Sequence, residues 1–144
     1  MQTMTLADLS KKMRDIDFAM LSTIAANGAV AARPMSNNGD VDYRGDSYFF
    51  TDDKARMVDE IERQPTVGLS FSGAKSLLGK PPLFIAVEGQ AKLIRDKKVF
   101  AEHWCKDLER WFAQGVDTPG LVLIEVHASR ISYWDGEDNG ELKI

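Results

Sequence analysis

The chain has 144 residues, of which 44% are hydrophobic and 28% are charged, a composition that predicts one globular domain over residues 1–144. The formal net charge of −4 argues against a broad nucleic-acid surface, which needs a basic stripe. No apolar run approaches the roughly 20 residues that cross a bilayer, and no signal-peptide pattern opens the chain, so no membrane partner is expected. Cys105 is the only cysteine, so a cytoplasmic location is the simplest expectation.

The first segments predict a helix and a hairpin. A capping box that begins at Thr5 is typical of the start of a short amphipathic helix. Asn27-Gly28 predicts a type I′ turn, since such a turn needs positive φ at both central residues. The flanking residues, 18–25 and 29–35, are therefore predicted to be the two strands of a hairpin.

An aromatic strand and a second helix follow the hairpin. Residues 47–51 have the aromatic and β-branched composition of a compact strand. Asp52 or Asp53 is predicted to cap the next helix, and Pro65 is predicted to end it.

The second half of the chain predicts longer strands around a third helix. Strands are expected over 66–71 and 83–95, with Gly89 marking a bulge in the later one. Asp96 is predicted to cap a helix that continues to Phe112, and the last strands follow it. Many hairpins and few helices predict a mainly β fold, a closed or nearly closed antiparallel barrel with rim helices, rather than a doubly wound parallel sheet.

Arg33 is the first candidate for a binding residue. It follows a run of small apolar residues, and Pro34 comes directly after it. Because proline cannot donate to a sheet ladder, Pro34 places this segment at a sheet edge or a bulge, which leaves the backbone near Met35 free to meet a ligand. Two interpretations of Arg33 stay open: a solvated side chain at a strand end, or a side chain with a negative group against it.

Arg56 is the second candidate, since it lies in the first turn of the second predicted helix. A cation there opposes the positive end of the helix dipole, and a bound anion would remove the conflict. Alternatively, Asp52 and Asp53 neutralise the turn and Arg56 points to water. If the strands that carry Arg33 and Thr51 are neighbours in the sheet, Arg56 converges with them into a site for a phosphate monoester.

Aromatic residues form a third pattern. Trp111 lies at the end of the third predicted helix, where aromatic side chains usually belong to the core. Tyr133 and Trp134 are adjacent in a predicted strand and must face opposite sides. One of the two is therefore expected at an interface or against a flat ligand.

Other catalytic motifs are not found. His103 and His127 are the only histidines, and neither has the spacing of a zinc site, so no metal is expected. The glycines match neither the P-loop nor the Rossmann pattern, and the serines lack a nucleophile elbow. Catalytic residues stay unassigned.

These segments together resemble the FMN-binding split-barrel superfamily that includes pyridoxamine 5′-phosphate oxidase, and most closely its general stress protein 26 branch. The likeness runs from Phe18 to Trp134 and rests on the order and spacing of several motifs rather than on any one of them. The motifs are FAMLSTIAANGAVAARPM, YFFTDDKARMVDEIERQPTVGLSF, FIAVEGQAKLIRD, the WF pair at 111 and 112, and LVLIEVHASRISYWDG.

The resemblance implies an antiparallel split barrel that forms a homodimer, with FMN, or alternatively FAD, at the subunit interface. It implies that Trp111 and Trp134 come from the second subunit and that basic residues at the start of the helix after Thr51 hold the phosphate. Met57 stands where the family usually has Lys. The implied flavin-binding residues are Arg33, Pro34, Met35, Phe50, Thr51, Arg56, Met57, Trp111 and Trp134.

The expected function is that of a flavin-binding general stress protein, a redox protein of unknown substrate whose chemistry belongs to the flavin. Three alternatives stay open. The protein is a module that binds or senses flavin without turnover, a pyridoxamine-phosphate oxidase, or a split barrel that uses haem or a deazaflavin.

Overall fold

The computed structural model describes residues 4–38, 41–75 and 77–144. Within them, seven strands and three helices follow one another in the predicted order. Two short 3₁₀ helices, Lys106–Arg110 and Gly115–Asp117, precede the longest strand. In chain order, the main elements are α1 (Leu6–Met13), β1 (Phe18–Ile24), β2 (Val30–Ser36), β3 (Asp46–Asp52), α2 (Arg56–Arg63), β4 (Thr66–Ser72), β5 (Phe84–Ile94), α3 (Lys97–His103), β6 (Leu121–Asp135) and β7 (Asp138–Lys143).

All strands belong to one antiparallel sheet in the order β2-β1-β4-β5-β6-β3, and β7 also pairs with β6. The mainly β, split-barrel prediction is confirmed, but the sheet is open rather than closed. β6 has 15 residues, so one of its edges holds β5 while the other holds first β3 and then β7. As a result β2 and β3 lie at opposite ends of the sheet, so the condition under which Arg33, Thr51 and Arg56 were expected to converge is not met.

The core lies on the inner face of this sheet. Alternate residues of β1, β4, β5 and β6 point inward, and burying each of the large apolar side chains among them contributes about 1.5–3 kcal/mol. A smaller apolar cluster forms under α3 around Phe50, Phe100 and Leu123. None of the helices in the described ranges is long and apolar enough to cross a membrane.

The β1–β2 hairpin forms as predicted, but its turn is not type I′. Gly28 has φ of 83°, whereas no non-glycine residue in the described ranges has a positive φ, so Asn27 does not adopt the conformation that turn needs. The Gly28 N–H donates to the Ala25 carbonyl at 2.9 Å, and Asn27 Oδ1 accepts from the Ala29 N–H at 3.0 Å. The loop is a tight turn followed by a left-handed glycine.

Two helix starts agree with the sequence. Thr5 and Asp8 form a reciprocal capping box, with distances of 3.1 and 2.9 Å between the side-chain oxygens and the backbone nitrogens. The Asp96 side chain accepts from the Lys98 N–H at 3.0 Å and caps α3.

The start of α2 differs from its prediction. The residue before the helix is Ala55, and no side chain caps the first turn. Asp52 instead accepts from the Lys54 N–H at 2.8 Å, inside the turn that leads to the helix. The prediction that Asp52 or Asp53 caps this helix is therefore wrong, and α2 begins at Arg56 with its first N–H groups unclaimed by a side chain.

The third helix is shorter than predicted and ends at His103 instead of Phe112. The next residue, Trp104, adopts an extended conformation with φ −73° and ψ 136°. This turn brings the Trp104 ring to 5.0 Å from the ring of Phe50 and 6.1 Å from that of Phe112. Packing of these aromatic rings replaces the last helical turns.

Gly89 lies at a shift of register between β5 and β6, which confirms the predicted bulge. A Cβ atom at this position would lie 2.6 Å from the backbone carbonyl oxygen of His127. Backbone cannot move aside as a flexible side chain can, so only glycine fits.

We expect Gly89→Ala to lower the free energy of unfolding by about 2 kcal/mol, since overpacking against a rigid neighbour typically costs 1–3 kcal/mol. Gly68→Ala is the matched control, because Gly68 also lies inside a strand but its Cβ would meet nothing closer than 3.6 Å. Urea unfolding of both variants measures the difference. Equal losses of unfolding free energy in the two variants would show that the close approach to His127 does not explain why position 89 requires glycine.

Candidate functional site

Arg33 lies in the edge strand β2, opposite Leu21 of β1, with its side chain largely covered. Its Nη1 donates to Thr23 Oγ1 at 2.7 Å and to the Leu21 carbonyl at 3.3 Å. Its Nη2 donates to Glu60 Oε1 at 3.1 Å. Of the two interpretations of Arg33, the second is therefore correct, and the negative group is a carboxylate of the chain itself.

Glu60 is buried on α2, where it was not expected. Met57 and Ile61 of the same helix insert into the core, and Glu60 is buried beside Met57 on that side of the helix. Its carboxylate accepts a hydrogen bond from Thr23 Oγ1 at 2.8 Å in addition to the bond from Arg33. Glu60 follows Met57 by three residues, and residues with that spacing lie on the same face of a helix. This was the signal in the sequence that Glu60 faces inward.

Arg56 reaches the same carboxylate from the first turn of α2. Its Nε donates to Glu60 Oε2 at 2.9 Å, while 70% of its side chain stays exposed. Arg33 and Arg56 thus meet on one group, but that group is the carboxylate of Glu60, with one arginine on each oxygen. The exposed guanidinium of Arg56 remains accessible to an anion from solvent.

The pKa of Glu60 lies below its ordinary value of 4.5. The main cause is the hydrogen bond from the Thr23 hydroxyl, with further lowering by Arg56 and Arg33, while burial acts in the opposite direction. A lowered folded-state pKa means that this network stabilises the fold fully above pH 4.5, and that the stabilisation is lost as the pH falls through the folded-state value.

We therefore expect Glu60→Gln to destabilise the protein at pH 7 and to differ less from the natural protein at pH 3. Urea unfolding at several pH values measures how the difference in unfolding free energy between the two proteins changes with pH. Glu62→Gln is the control, because Glu62 lies in the same helix but forms an exposed ion pair with Arg95. A constant difference between the natural protein and Glu60→Gln across the acid range would contradict the assignment.

Phe50 and Thr51 lie at the end of β3 that leads into α2, opposite Leu123 and Val122 of β6. Both are buried. The Phe50 ring makes edge contacts with Phe100 at 5.7 Å and with Trp104, so its side chain belongs to the cluster under α3. Thr51 lies five residues before Arg56 along the chain.

Of the predicted binding residues next to Arg33 and Arg56 in the sequence, one is exposed and two are buried. Pro34 is exposed on the edge strand, which confirms the prediction of an edge position. Met35 and Met57 are buried in the main core cluster. Met57 therefore packs in the core at the position where the family resemblance leads us to expect a phosphate-binding lysine.

Trp134 lies on the outer face of the sheet, with 47% of its surface exposed, while Tyr133 is buried. This confirms that the two neighbours face opposite sides. Trp134 pairs with Phe84 of β5, and Phe18 and Met20 of β1 are also exposed. We call these four exposed residues, Phe18, Met20, Phe84 and Trp134, the outer apolar face.

Trp111 lies apart from the outer apolar face, directly after the 3₁₀ helix Lys106–Arg110. Its side chain is 63% exposed, so Trp111 is not one of the core aromatic residues that are usual at helical spacing. Within the described ranges, Arg33, Arg56 and Glu60 form their ion pairs with one another and not with a residue near Trp111 or Trp134.

Two cavities flank the sheet. A shallow groove of about 180 Å³ is lined by Thr23, Val30 and Thr66, beside the Glu60 network. A cleft of about 110 Å³ lies between α1, β3 and α3, where the buried hydroxyl of Tyr43 has no hydrogen-bond partner and burial raises its pKa. Within the described ranges, no cluster of histidine, cysteine, aspartate or glutamate could hold a metal ion.

Comparison with known proteins identifies the fold. A protein from Clostridium acetobutylicum related to general stress protein 26 is 18% identical, with a TM-score of 0.80 over 96% of this chain and 94% of that one. A general stress FMN/FAD binding protein from Xanthomonas citri is 22% identical, with a TM-score of 0.73 over 96% and 94%. A heme binding protein from Mycobacterium smegmatis is 13% identical, with a TM-score of 0.76 over 99% and 60%.

Comparison with curated proteins gives no significant match. The family model described as "Pyridoxamine 5′-phosphate oxidase like" matches residues 5–144, nearly the whole chain. This agrees with the order of strands and helices and with the resemblance in the sequence motifs. The chain belongs to the pyridoxamine 5′-phosphate oxidase like family, and its fold is the one shared by the general stress protein 26 structures.

Proposed function

We propose that the protein binds FMN through its phosphate and acts as a flavin-dependent redox protein of the general stress type. The observation that carries the proposal is the convergence of Arg33 and Arg56 at the start of α2. The similar structure from Xanthomonas citri is that of an FMN/FAD binding protein, which supports the same ligand class here.

The donors at the start of α2 fit a phosphate. The Arg56 guanidinium is anchored through Nε and is otherwise exposed. No side chain caps the helix, and although the Val58 N–H donates to the Ala55 carbonyl at 3.1 Å, N–H groups at a helix start favour anions. Charge-assisted hydrogen bonds of this kind contribute about 1.5–3 kcal/mol each.

The two aspartates before α2 do not oppose this proposal. Asp52 accepts a hydrogen bond from the Lys54 N–H, and Asp53 pairs with Arg95 at 2.7 Å. Both carboxylates, although exposed, therefore have partners within the chain, which lowers their repulsion of a phosphate at Arg56. We propose that Arg56 and Thr51 contact the phosphate while Arg33 supports Arg56 through Glu60.

A flavin, when bound, supplies hydride or electron transfer through its ring. The residues of the chain position its phosphate and shield its apolar ring. We propose that a second copy of the chain completes the site and contributes Trp111 and Trp134. The outer apolar face supports this homodimer, because a group of large exposed apolar side chains on one sheet face is typical of an interaction surface.

Haem is the second candidate ligand, and the similar heme binding protein from Mycobacterium smegmatis favours it. The two histidines, the usual axial ligands, are both engaged in contacts. The His103 ring stacks on Tyr48 at 3.7 Å, and His127 Nδ1 lies 2.6 Å from Asp46 Oδ1. These contacts favour flavin over haem.

The deciding experiment is an absorbance titration of the purified protein with FMN, FAD, riboflavin and haem. We expect FMN to bind more tightly than riboflavin, which has the same ring but no phosphate. Bleaching of the flavin band at about 450 nm by NADH or NADPH, with turnover, would support a redox enzyme. Bound flavin that stays oxidised would support a sensing module, and binding of haem alone would overturn the proposal.

A further inference from the structure

We propose that Glu60 sets the strength with which this site holds a phosphate, and that it keeps FMN exchangeable. The inference rests on the proposed function and deepens it. It assigns a specificity-determining role to a buried carboxylate that contacts both arginines but is itself shielded from solvent.

Glu60 is a permanent part of the site. Its two oxygens receive three donors, from Thr23, Arg33 and Arg56, and 5% of its surface is exposed. Expelling a buried, fully hydrogen-bonded carboxylate costs several kcal/mol, so an arriving phosphate does not displace it. The phosphate meets Arg56 with the carboxylate still in place.

Because Glu60 stays in place, its negative charge counts toward the net charge that the phosphate meets. Arg33 and Arg56 provide two positive charges and Glu60 removes one. Met57, at the position of the family's usual lysine, adds none. A phosphate monoester carries a charge of about −1.5 to −2 at pH 7, so this site compensates the ligand only in part.

Glu60 also restrains Arg56. The Nε of Arg56 is committed to Glu60 Oε2, which leaves only the end of the guanidinium for a ligand. Glutamine at position 60 can still bond Thr23 and Arg33 through its amide oxygen. Its amide nitrogen cannot accept from Arg56, so the whole guanidinium becomes available to a phosphate.

The test compares FMN with riboflavin in the natural protein, Glu60→Gln and Glu62→Gln. We expect the ratio of the riboflavin Kd to the FMN Kd to rise about tenfold in Glu60→Gln. Glu62→Gln makes the same charge change on the exposed side of the helix and should change the ratio less than twofold. An unchanged or lower ratio in Glu60→Gln would overturn the inference.

A second measurement needs no variant. The second ionisation of a phosphate monoester occurs near pH 6, and a site with one net positive charge gains little from it. We expect the FMN Kd of the natural protein to change less than about threefold between pH 5.5 and 7.5. A change of more than tenfold would overturn the inference. Equal affinity for FMN and riboflavin in the natural protein would instead refute the phosphate site itself.

Discussion

Arg33→Ala is expected to lower the free energy of unfolding by about 3 kcal/mol, because removing one partner of a buried ion pair leaves the other partner uncompensated. Glu60 would keep only Thr23 and the exposed Arg56 as donors. Arg56→Ala should cost about 0.5 kcal/mol, as is usual for exposed pairs four residues apart in a helix. Urea unfolding at pH 7 measures both losses.

A double variant separates this explanation from a general effect of shortening Arg33. Replacing Arg33 by Met and Glu60 by Leu removes both charges together, and apolar replacement of a buried pair is often neutral or stabilising. We expect this double variant to be more stable than Arg33→Ala. If it is less stable, or if Arg33→Ala costs no more than Arg56→Ala, the network does not contribute as described.

The second large effect is expected at the outer apolar face. Phe84→Lys should weaken self-association by at least about thirtyfold, since a central interface residue contributes roughly 2 kcal/mol or more and each 1.4 kcal/mol is tenfold. Phe84 lies beside Trp134 in the sheet, and both are exposed, so the substitution leaves the core intact. Sedimentation equilibrium measures the dimer–monomer constant.

Flavin binding provides an independent readout of the same variant. If the partner subunit completes the site, Phe84→Lys should lose affinity for FMN as it loses the dimer. Val41→Lys is the control, because Val41 is exposed at the cleft between α1, β3 and α3 instead of on this face. A monomeric natural protein, or a Phe84→Lys dimer as stable as the natural one, would contradict this role of the face.

The local structure was predictable from the sequence to a large extent, because its causes are local. The capping side chains of Thr5 and Asp96, the hairpin loop at Gly28 and the bulge at Gly89 depend on a few neighbouring residues. The strand order was not predictable in the same way. β3 pairs with β6 across 81 residues, from Asp46 to His127, and no local pattern specifies such a partner.

The site was predictable in part. The cation at Arg33 and the cation in the first turn of α2 predicted a shared site for a bound phosphate, and in the structure both contact a carboxylate of the chain itself. The partner itself was missed, because a glutamate in a helix with charged neighbours ordinarily faces solvent. Glu60 faces inward because the apolar residues beside it, Met57 and Ile61, fix the orientation of the helix.

The most direct test of the phosphate site is an equilibrium titration of Arg56→Ala with FMN and riboflavin. Arg56 is exposed, so its removal leaves the fold intact and isolates its contact with the ligand. We expect FMN to bind about ten- to a hundredfold more weakly than in the natural protein, at about 1.5–3 kcal/mol for a charged hydrogen bond, with riboflavin unchanged. Equal FMN affinity in the variant and the natural protein would contradict the account.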